Sequence, residues 1–120
     1  MFSVECHCGN LHLVANEHPA SLTSCNCSMC HRLGALWAYF DAANVDIQIG
    51  DKSINAYRWG EKSITYHRCA ECGCTTHYTT TEADGTRLIA LNCRMVAASL
   101  ISEIPLRRFD GQNTWRYLDE

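Results

Sequence analysis

The sequence lacks the features that direct a chain into a membrane or onto nucleic acid. No apolar run approaches the ~20 residues that a membrane-spanning helix needs. The formal net charge is −3 and the longest basic run is the pair Arg107-Arg108, so no basic surface for nucleic acid or an anionic membrane is expected. The N-terminus also lacks the basic and apolar segments of a signal peptide. We therefore expect a cytoplasmic protein without nucleic-acid or membrane partners.

Repeats, linkers and low-complexity segments are missing as well, and 120 residues fit one domain, 1–120, with a modest core. Apolar residues make up 47% of the chain and charged residues 19%, a balance typical of globular proteins. Several short segments have the alternating or β-branched composition of strands, and turn signals separate them: 10–15, 35–40, 45–49, 53–59, 62–68, 75–81 and 87–93. The sequence therefore predicts a mainly β fold, with hairpin turns at 60–61 and 83–85.

The sequence predicts only two short helical turns. Ser28 is predicted to cap one helical turn that stops at Gly34, and residues 95–102 are predicted to form another. Residues 105–120 show no clear period and are predicted to be an irregular tail.

Cysteine, by contrast, is abundant. Nine cysteines without an export signal indicate metal binding rather than disulfides, and an odd number cannot form a fully paired framework. Thiolates select zinc, copper(I) or iron–sulfur clusters, and zinc is the usual choice in such a chain. We name three cysteine groups by their order in the chain: the first is Cys6 and Cys8, the second is Cys25, Cys27 and Cys30, and the third is Cys69 and Cys72.

Spacing alone does not decide which groups share an ion. Two two-cysteine groups on tight turns can complete a four-thiolate site, and pairing the first group with the third would close a loop of about sixty residues. However, the third group followed by Cys74 mirrors the C-x-C-x-x-C pattern of the second group. Cys27 and Cys30 of the second group could equally share an ion with Cys6 and Cys8 of the first group.

The order of these groups resembles the glutathione-dependent formaldehyde-activating (GFA) family, which includes centromere protein V. The chain reads C-x-C-G, then C-x-C-S-x-C-x-R, then C-x-x-C-G, followed by Asn92-Cys93-Arg94 and Phe109-Asp110-Gly111. The resemblance extends from about Val4 to Trp115. It implies coiled antiparallel strands braced by a four-cysteine zinc site, in a fold similar to that of methionine-R-sulfoxide reductases.

The same resemblance implies two zinc ions per chain. A structural zinc is implied on the first and third groups, that is on Cys6, Cys8, Cys69 and Cys72. A catalytic zinc is implied on the second group, with its fourth position open to a thiol substrate such as glutathione.

A three-thiolate zinc site suits thiol chemistry better than hydrolysis. Its formal charge is −1, so it should acidify water less than a site of three neutral imidazoles, which brings water to a pKa of ~7. A thiol, in contrast, is deprotonated outright on coordination and remains a nucleophile toward an aldehyde. We therefore predict a zinc-dependent carbon–sulfur lyase or adduct-forming enzyme that acts on a thiol such as glutathione, as in S-hydroxymethylglutathione chemistry.

Side chains near the second group supply further candidates. His31 is predicted to shuttle a proton, the alternatives being a fourth ligand and an ordinary surface histidine. Arg94 and Arg32 are both candidates to bind a substrate carboxylate, because the planar guanidinium group matches a carboxylate, and Arg94 is slightly favoured. The predicted catalytic set is Cys25, Cys27, Cys30, His31 and Arg94.

Other residues leave alternatives open. Trp37, Tyr39 and Trp59 could wall a pocket, although core packing is the better prediction for at least two of them. Cys93 and Cys74 are predicted to be small buried hydrophobes. If Cys93 instead attacks substrate, the chain would be a methionine sulfoxide reductase relative with purely structural zinc. A zinc-stabilised protein-binding module is the remaining alternative.

Overall fold

A computed structural model describes residues 1–60 and 63–119, and within these residues the fold is mainly β. The strands are β1 (Phe2–Glu5), β2 (Leu11–Ala15), β3 (Leu22–Cys25), β4 (Trp37–Asp41), β5 (Val45–Ile49), β6 (Ile54–Tyr57), β7 (Ile64–Cys69), β8 (Thr75–Thr81), β9 (Arg87–Asn92), β10 (Leu106–Asp110) and β11 (Arg116–Tyr117). The α-helices are α1 (Ser28–Leu33) and α2 (Ala98–Ile101), and short 3-10 turns cover Ala42–Asn44 and Cys93–Met95. No helix in these two ranges is long and apolar enough to cross a membrane.

The strands form two sheets. The smaller sheet has the order β1-β2-β5 and the larger has the order β11-β10-β3-β4-β9-β8-β7-β6. Neighbouring strands are antiparallel except β10 and β3, which run parallel. The predicted mainly β class is therefore confirmed, whereas the single-domain organisation and the similarity to methionine-R-sulfoxide reductases stay predictions.

Alternation along the strands explains how the main core forms. In β2, Leu11, Leu13 and Ala15 are buried while the residues between them are partly exposed, which is the period of a half-buried strand. Burying each of the two leucine side chains contributes roughly 1.5–3 kcal/mol. The main core joins side chains of both sheets, including Phe2, Val4, Leu13, Leu22, Phe40, Ile89 and Leu91.

A second, smaller core supports the second cysteine group. It consists of Cys30, Ala35, Trp37, Tyr66 and Ala90, and Cys25 and Cys27 pack against it. Trp37 is fully buried and its indole Nε1 donates to Cys30 Sγ at 3.3 Å. The second cysteine group therefore rests on a rigid aromatic floor.

Most of the predicted strands are confirmed, with ends shifted by a few residues. The hairpin between β8 and β9 is closed by Glu82, whose amide donates to the Thr86 carbonyl at 2.8 Å. β6 and β7 also pair as predicted. Residue 61 of their predicted turn and residue 62 of the predicted second strand lie outside the described residues. β1 and β3, of four residues each, were not predicted.

The predicted cap of α1 is wrong. Ser28 is the first residue of the helix, and Cys27 is the N-cap, whose side chain accepts from the Cys30 amide at 3.3 Å. A thiol sulfur here takes the place that Ser, Thr or Asp oxygens usually fill. The helix ends at Gly34 as predicted, in the left-handed conformation with φ of 65°.

The predicted irregular tail is also wrong. β10 pairs in parallel with β3, so that Phe109 lies beside Cys25, and β11 then pairs with β10. Arg107 stacks over the Tyr117 ring at 3.8 Å from its centroid, which lets a charged side chain occupy a strand. The predicted helical turn at 95–102 is confirmed in part, because it contains Met95, the last residue of a 3-10 turn, and the helix α2.

Candidate metal centres and active site

The second cysteine group converges in space. Its three Sγ atoms, from the end of β3, the cap of α1 and its first turn, lie within 4.8 Å of one another. N–H groups point at the sulfurs: the Cys27 amide donates to Cys25 Sγ at 3.5 Å and the Cys30 amide donates to Cys27 Sγ at 3.3 Å. Such donors stabilise a thiolate, which is the form of cysteine that binds metal.

Two thiols of this group, those of Cys25 and Cys30, influence each other's pKa. A side-chain hydrogen bond from Cys30 lowers the pKa of Cys25 to about 6, and the same interaction together with burial raises the pKa of Cys30. Cys25 therefore ionises first and is a thiolate at neutral pH. One preformed negative charge beside two further thiols is a favourable starting point for a cation.

The donor set fits a soft metal ion with one position left over. Three sulfur ligands are one short of the tetrahedron that closes a structural zinc site. Among residues 1–60 and 63–119, no His, Asp, Glu or further Cys brings a ligand atom into this group. His31 in particular stays outside it, so its alternative role as a fourth ligand is not supported.

The first and third cysteine groups converge separately. The Sγ atoms of their four cysteines lie within 4.8 Å of one another, and Cys74 is not among them. The Leu11 amide donates to Cys6 Sγ at 3.2 Å, and the Glu71 amide donates to Cys69 Sγ at 3.3 Å. Both groups sit on turns that end in a left-handed glycine, Gly9 at φ of 83° and Gly73 at φ of 77°. Of the pairings that spacing allowed, the structure brings together the first and third groups.

Three hollows adjoin the second cysteine group, and two of them are lined by more than one of its cysteines. One, which we name the basic cleft, has a volume of about 230 Å³ and is lined by Cys25 and Cys30 together with His31, Arg94 and Arg108. Arg94 is held by its Nε, which donates to the Gly34 carbonyl at 2.9 Å. Arg108 was missed by sequence reasoning, because it lies on β10 in the segment predicted to be irregular.

The other hollow, which we name the aromatic cavity, has a volume of about 520 Å³. All three cysteines of the second group line it, and so do rings from β4, β7, β8 and the tail: Tyr39, Tyr66, Tyr78, Phe109, Trp115 and Tyr117. Of the aromatic residues considered from the sequence, only Tyr39 lines this cavity. Trp37 lies beneath it in the core, and Trp59 lines a separate hollow with Arg32.

The remaining candidates lie away from the three sulfurs. Cys93 is fully buried, and burial raises its pKa to about 12, as expected of a small core hydrophobe. Cys74 is partly buried beside the four-cysteine cluster. His67 and His77 stack on each other with centroids 4.4 Å apart, so both are packing residues rather than ligands.

The family model described as glutathione-dependent formaldehyde-activating enzyme (GFA) matches residues 1–102. The chain belongs to the GFA family. The matched region contains all three cysteine groups and Arg94, whereas β10, β11 and Trp115 follow it in the chain.

The fold of this GFA-family chain is also found in a solved structure. A Rhodobacter sphaeroides protein of known crystal structure is similar to it with a TM-score of 0.69 and 23% sequence identity, over 88% of this chain and 99% of that one. At this identity the likeness shows a shared fold. A comparison with curated proteins gives no match.

Proposed function

We propose that this chain is a zinc-dependent enzyme that makes or breaks the carbon–sulfur bond between a thiol such as glutathione and an aldehyde such as formaldehyde. The observation that carries the proposal is the convergence of Cys25, Cys27 and Cys30 without a fourth protein ligand atom among the described residues. Membership of a family described as glutathione-dependent and formaldehyde-activating supports the same chemistry.

The two cysteine clusters would hold two zinc ions with different roles. Four sulfurs fill a tetrahedron, so the ion on the first and third groups would brace the fold. The second group would hold the catalytic ion, which when bound supplies Lewis acidity that favours the thiolate form of the substrate. Trp37 and the backbone amides of α1 would keep the three sulfurs in position.

The basic cleft would bind the charged end of the thiol. Arg94 and Arg108 carry guanidinium groups that suit a carboxylate, and both line the cleft next to Cys25 and Cys30. His31 lines the same cleft and is exposed to solvent, so it would take the thiol proton and return it to the carbonyl oxygen. In the synthetic direction the carbon–sulfur bond forms, the carbonyl π pair moves to oxygen, and that oxygen takes the proton.

The alternatives have less support. A sulfoxide reductase using Cys93 would need an accessible thiolate, but this thiol is fully buried and its pKa is raised to about 12. A protein-binding module would not need three converging thiols between two hollows. Each alternative is therefore weaker than the thiol–aldehyde enzyme.

Exchange between free glutathione and its formaldehyde adduct tests the proposal, measured by magnetisation-transfer NMR with and without protein. We expect the zinc-loaded protein to accelerate exchange over the spontaneous rate. Cys27→Ser should abolish the acceleration and lose one of two zinc ions while the circular dichroism spectrum is kept. Cys93→Ala is the matched control and should keep both ions and the acceleration. Exchange equal to the spontaneous rate in the loaded protein would contradict the proposed function.

A further inference from the structure

The aromatic cavity is much larger than formaldehyde requires, and its lining has a chemistry of its own. Resting on the proposed function, we propose that the carbonyl substrate is an aldehyde with an apolar, aromatic substituent, and that this substituent occupies the aromatic cavity while the charged groups of the thiol occupy the basic cleft.

Size is the first observation. The cavity volume is about 520 Å³, within the range of roughly 300–1,000 Å³ that holds drug-sized ligands. Formaldehyde has two non-hydrogen atoms and is comparable to water, whose share of liquid volume is about 30 Å³. A site for formaldehyde alone would leave most of this space to solvent, whereas a phenyl or alkyl group would fill it.

The walls are preformed by packing among the rings. Tyr78 contacts Trp37, Tyr66 and Tyr39 with ring centroids 4.7, 5.4 and 6.3 Å apart. On the tail, Phe109 makes edge contacts with Trp115 at 5.1 Å and with Tyr117 at 5.0 Å. Offset and edge-to-face arrangements of this kind are favourable for further aromatic groups.

Trp115 is held in an uncommon backbone conformation at the cavity. It is the one non-glycine residue with positive φ, 60°, in the described parts of the chain. Its amide donates to the Asp110 carbonyl at 2.7 Å, and a Cβ built on Gly111 would lie 3.5 Å from its ring and 2.7 Å from Cys25 Sγ. Backbone conformations of this kind concentrate at active sites and ligand-binding positions. Here the conformation sets the Trp115 ring beside the sulfurs of the second cysteine group.

The basic cleft and the aromatic cavity differ in the charged side chains that line them. Among the described residues that line the aromatic cavity, Glu82 is the only carboxylate and none is Lys, Arg or His, whereas the basic cleft has two arginines. A carboxylate in the cavity would lose its hydration without a cation in return, which is costly. The carboxylates of a thiol such as glutathione are therefore directed to the basic cleft, leaving the cavity to the aldehyde substituent.

The cavity also offers hydrogen-bond donors for the aldehyde oxygen. Burial raises the pKa of Tyr39 to about 12, and burial likewise raises the pKa of Tyr78, so both hydroxyls stay protonated at neutral pH. The step itself needs no oxidant or reductant. The thiol sulfur bonds to the carbonyl carbon, the π pair moves to oxygen, and the proton lost by sulfur ends on that oxygen.

The test compares phenylacetaldehyde with formaldehyde, both with glutathione and the zinc-loaded protein. We expect kcat/KM to be at least tenfold higher for phenylacetaldehyde. Trp115→Ala should lower the ratio of the two kcat/KM values about tenfold. Because Trp115 is an exposed residue (70%), its side chain can be removed without opening the core. Tyr57→Ala removes another exposed ring (46%), on β6 away from the cavity lining, and should leave the ratio as it is.

A binding measurement provides a second readout that does not depend on turnover. The unreactive alcohol 2-phenylethanol, followed by intrinsic fluorescence, should bind the loaded protein, and Trp115→Ala but not Tyr57→Ala should weaken that binding about tenfold. Equal or better turnover of formaldehyde, or no difference between the two variants, would overturn the substrate assignment alone. Turnover of neither aldehyde above the spontaneous rate would instead overturn the proposed function itself.

Discussion

At the scale of single residues, Gly111 shows how closely the tail approaches the second cysteine group. A Cβ atom built there lies 2.7 Å from Cys25 Sγ and 3.5 Å from Cys27 Cβ, closer to the sulfur than real Cβ contacts come. We expect Gly111→Ala to displace Cys25 and weaken metal binding at the second group at least tenfold. Competition with a chromophoric chelator measures this, with Gln112→Ala as the control on the exposed neighbour. Equal affinities in both variants would contradict the contact.

His77 is expected to give the protein a pH-dependent stability. Burial, and secondarily the charge of His67, lower its pKa to about 3 from an ordinary value of 6.5. Between these values the unfolded chain binds a proton that the folded chain does not, so stability is present above pH 6.5 and is lost as pH falls. Since one pKa unit corresponds to about 1.4 kcal/mol, the loss by pH 4.5 is roughly 2–3 kcal/mol.

Denaturant unfolding of the wild type and His77→Gln at several pH values checks this expectation. The free energy of unfolding should fall less steeply with acid in the variant, because glutamine does not titrate. The comparison at each pH removes the contribution of metal release, which both proteins share. Parallel curves would show that His77 is not the titrating group.

Among single residues, the cysteines that converge in the structure were the ones best predicted from the sequence. The tight spacing of the three groups and the resemblance identified seven of the nine cysteines, and the structure places those seven in two clusters. Arg108, Tyr66, Tyr78 and Trp115 were not predicted as site residues, because nothing in the local sequence distinguishes a side chain that lines a pocket from one that does not. Their roles depend on which strands become neighbours.

At the scale of elements, the tail illustrates why some structure could not be predicted. β10 has the sequence Leu-Arg-Arg-Phe-Asp, in which apolar and polar residues do not alternate, but it gains stability from long-range pairing with β3. Side chains reinforce this pairing: Asn26 Nδ2 donates to Asp110 Oδ1 at 2.9 Å, and the Gln112 amide donates to Asn26 Oδ1 at 3.0 Å. The asparagine between Cys25 and Cys27 thus ties the tail to the second cysteine group.

The turns of the first and third cysteine groups are expected to hold the two sheets together. One turn follows β1 in the small sheet, and the other joins β7 to β8 in the large sheet. Metal binding can contribute about 10–16 kcal/mol in small zinc domains, more than most domains have in reserve. We therefore expect Cys69→Ser to lose one ion and its cooperative thermal unfolding transition.

Circular dichroism melting and metal analysis of the same samples measure this outcome. Cys27→Ser is the matched control, since it removes a thiol from the second group, and it should keep a cooperative transition with one ion bound. If Cys69→Ser melts as the wild type does, the four-cysteine cluster is not a structural brace.

At the scale of the whole molecule, the proposed function assigns the two clusters different roles, one in stability and one in chemistry. One has four sulfurs and lies between the sheets, and the other has three sulfurs and lies between a basic cleft and an aromatic cavity. The mainly β class followed from alternation and turn signals along the chain. The sheet order, the parallel β3–β10 pair and the position of the two hollows did not, because they are set by contacts between distant segments.

The most direct test of the central claim is a thiol titration of the protein with cobalt(II) in place of zinc. If the three-sulfur cluster accepts an incoming sulfur, glutathione or a simple thiol should saturably intensify the sulfur-to-cobalt charge-transfer absorption and shift the visible bands of one of two cobalt ions. Cys27→Ser should remove this response while the cobalt on the other cluster keeps its spectrum. A spectrum that stays unchanged at saturating thiol would contradict the account.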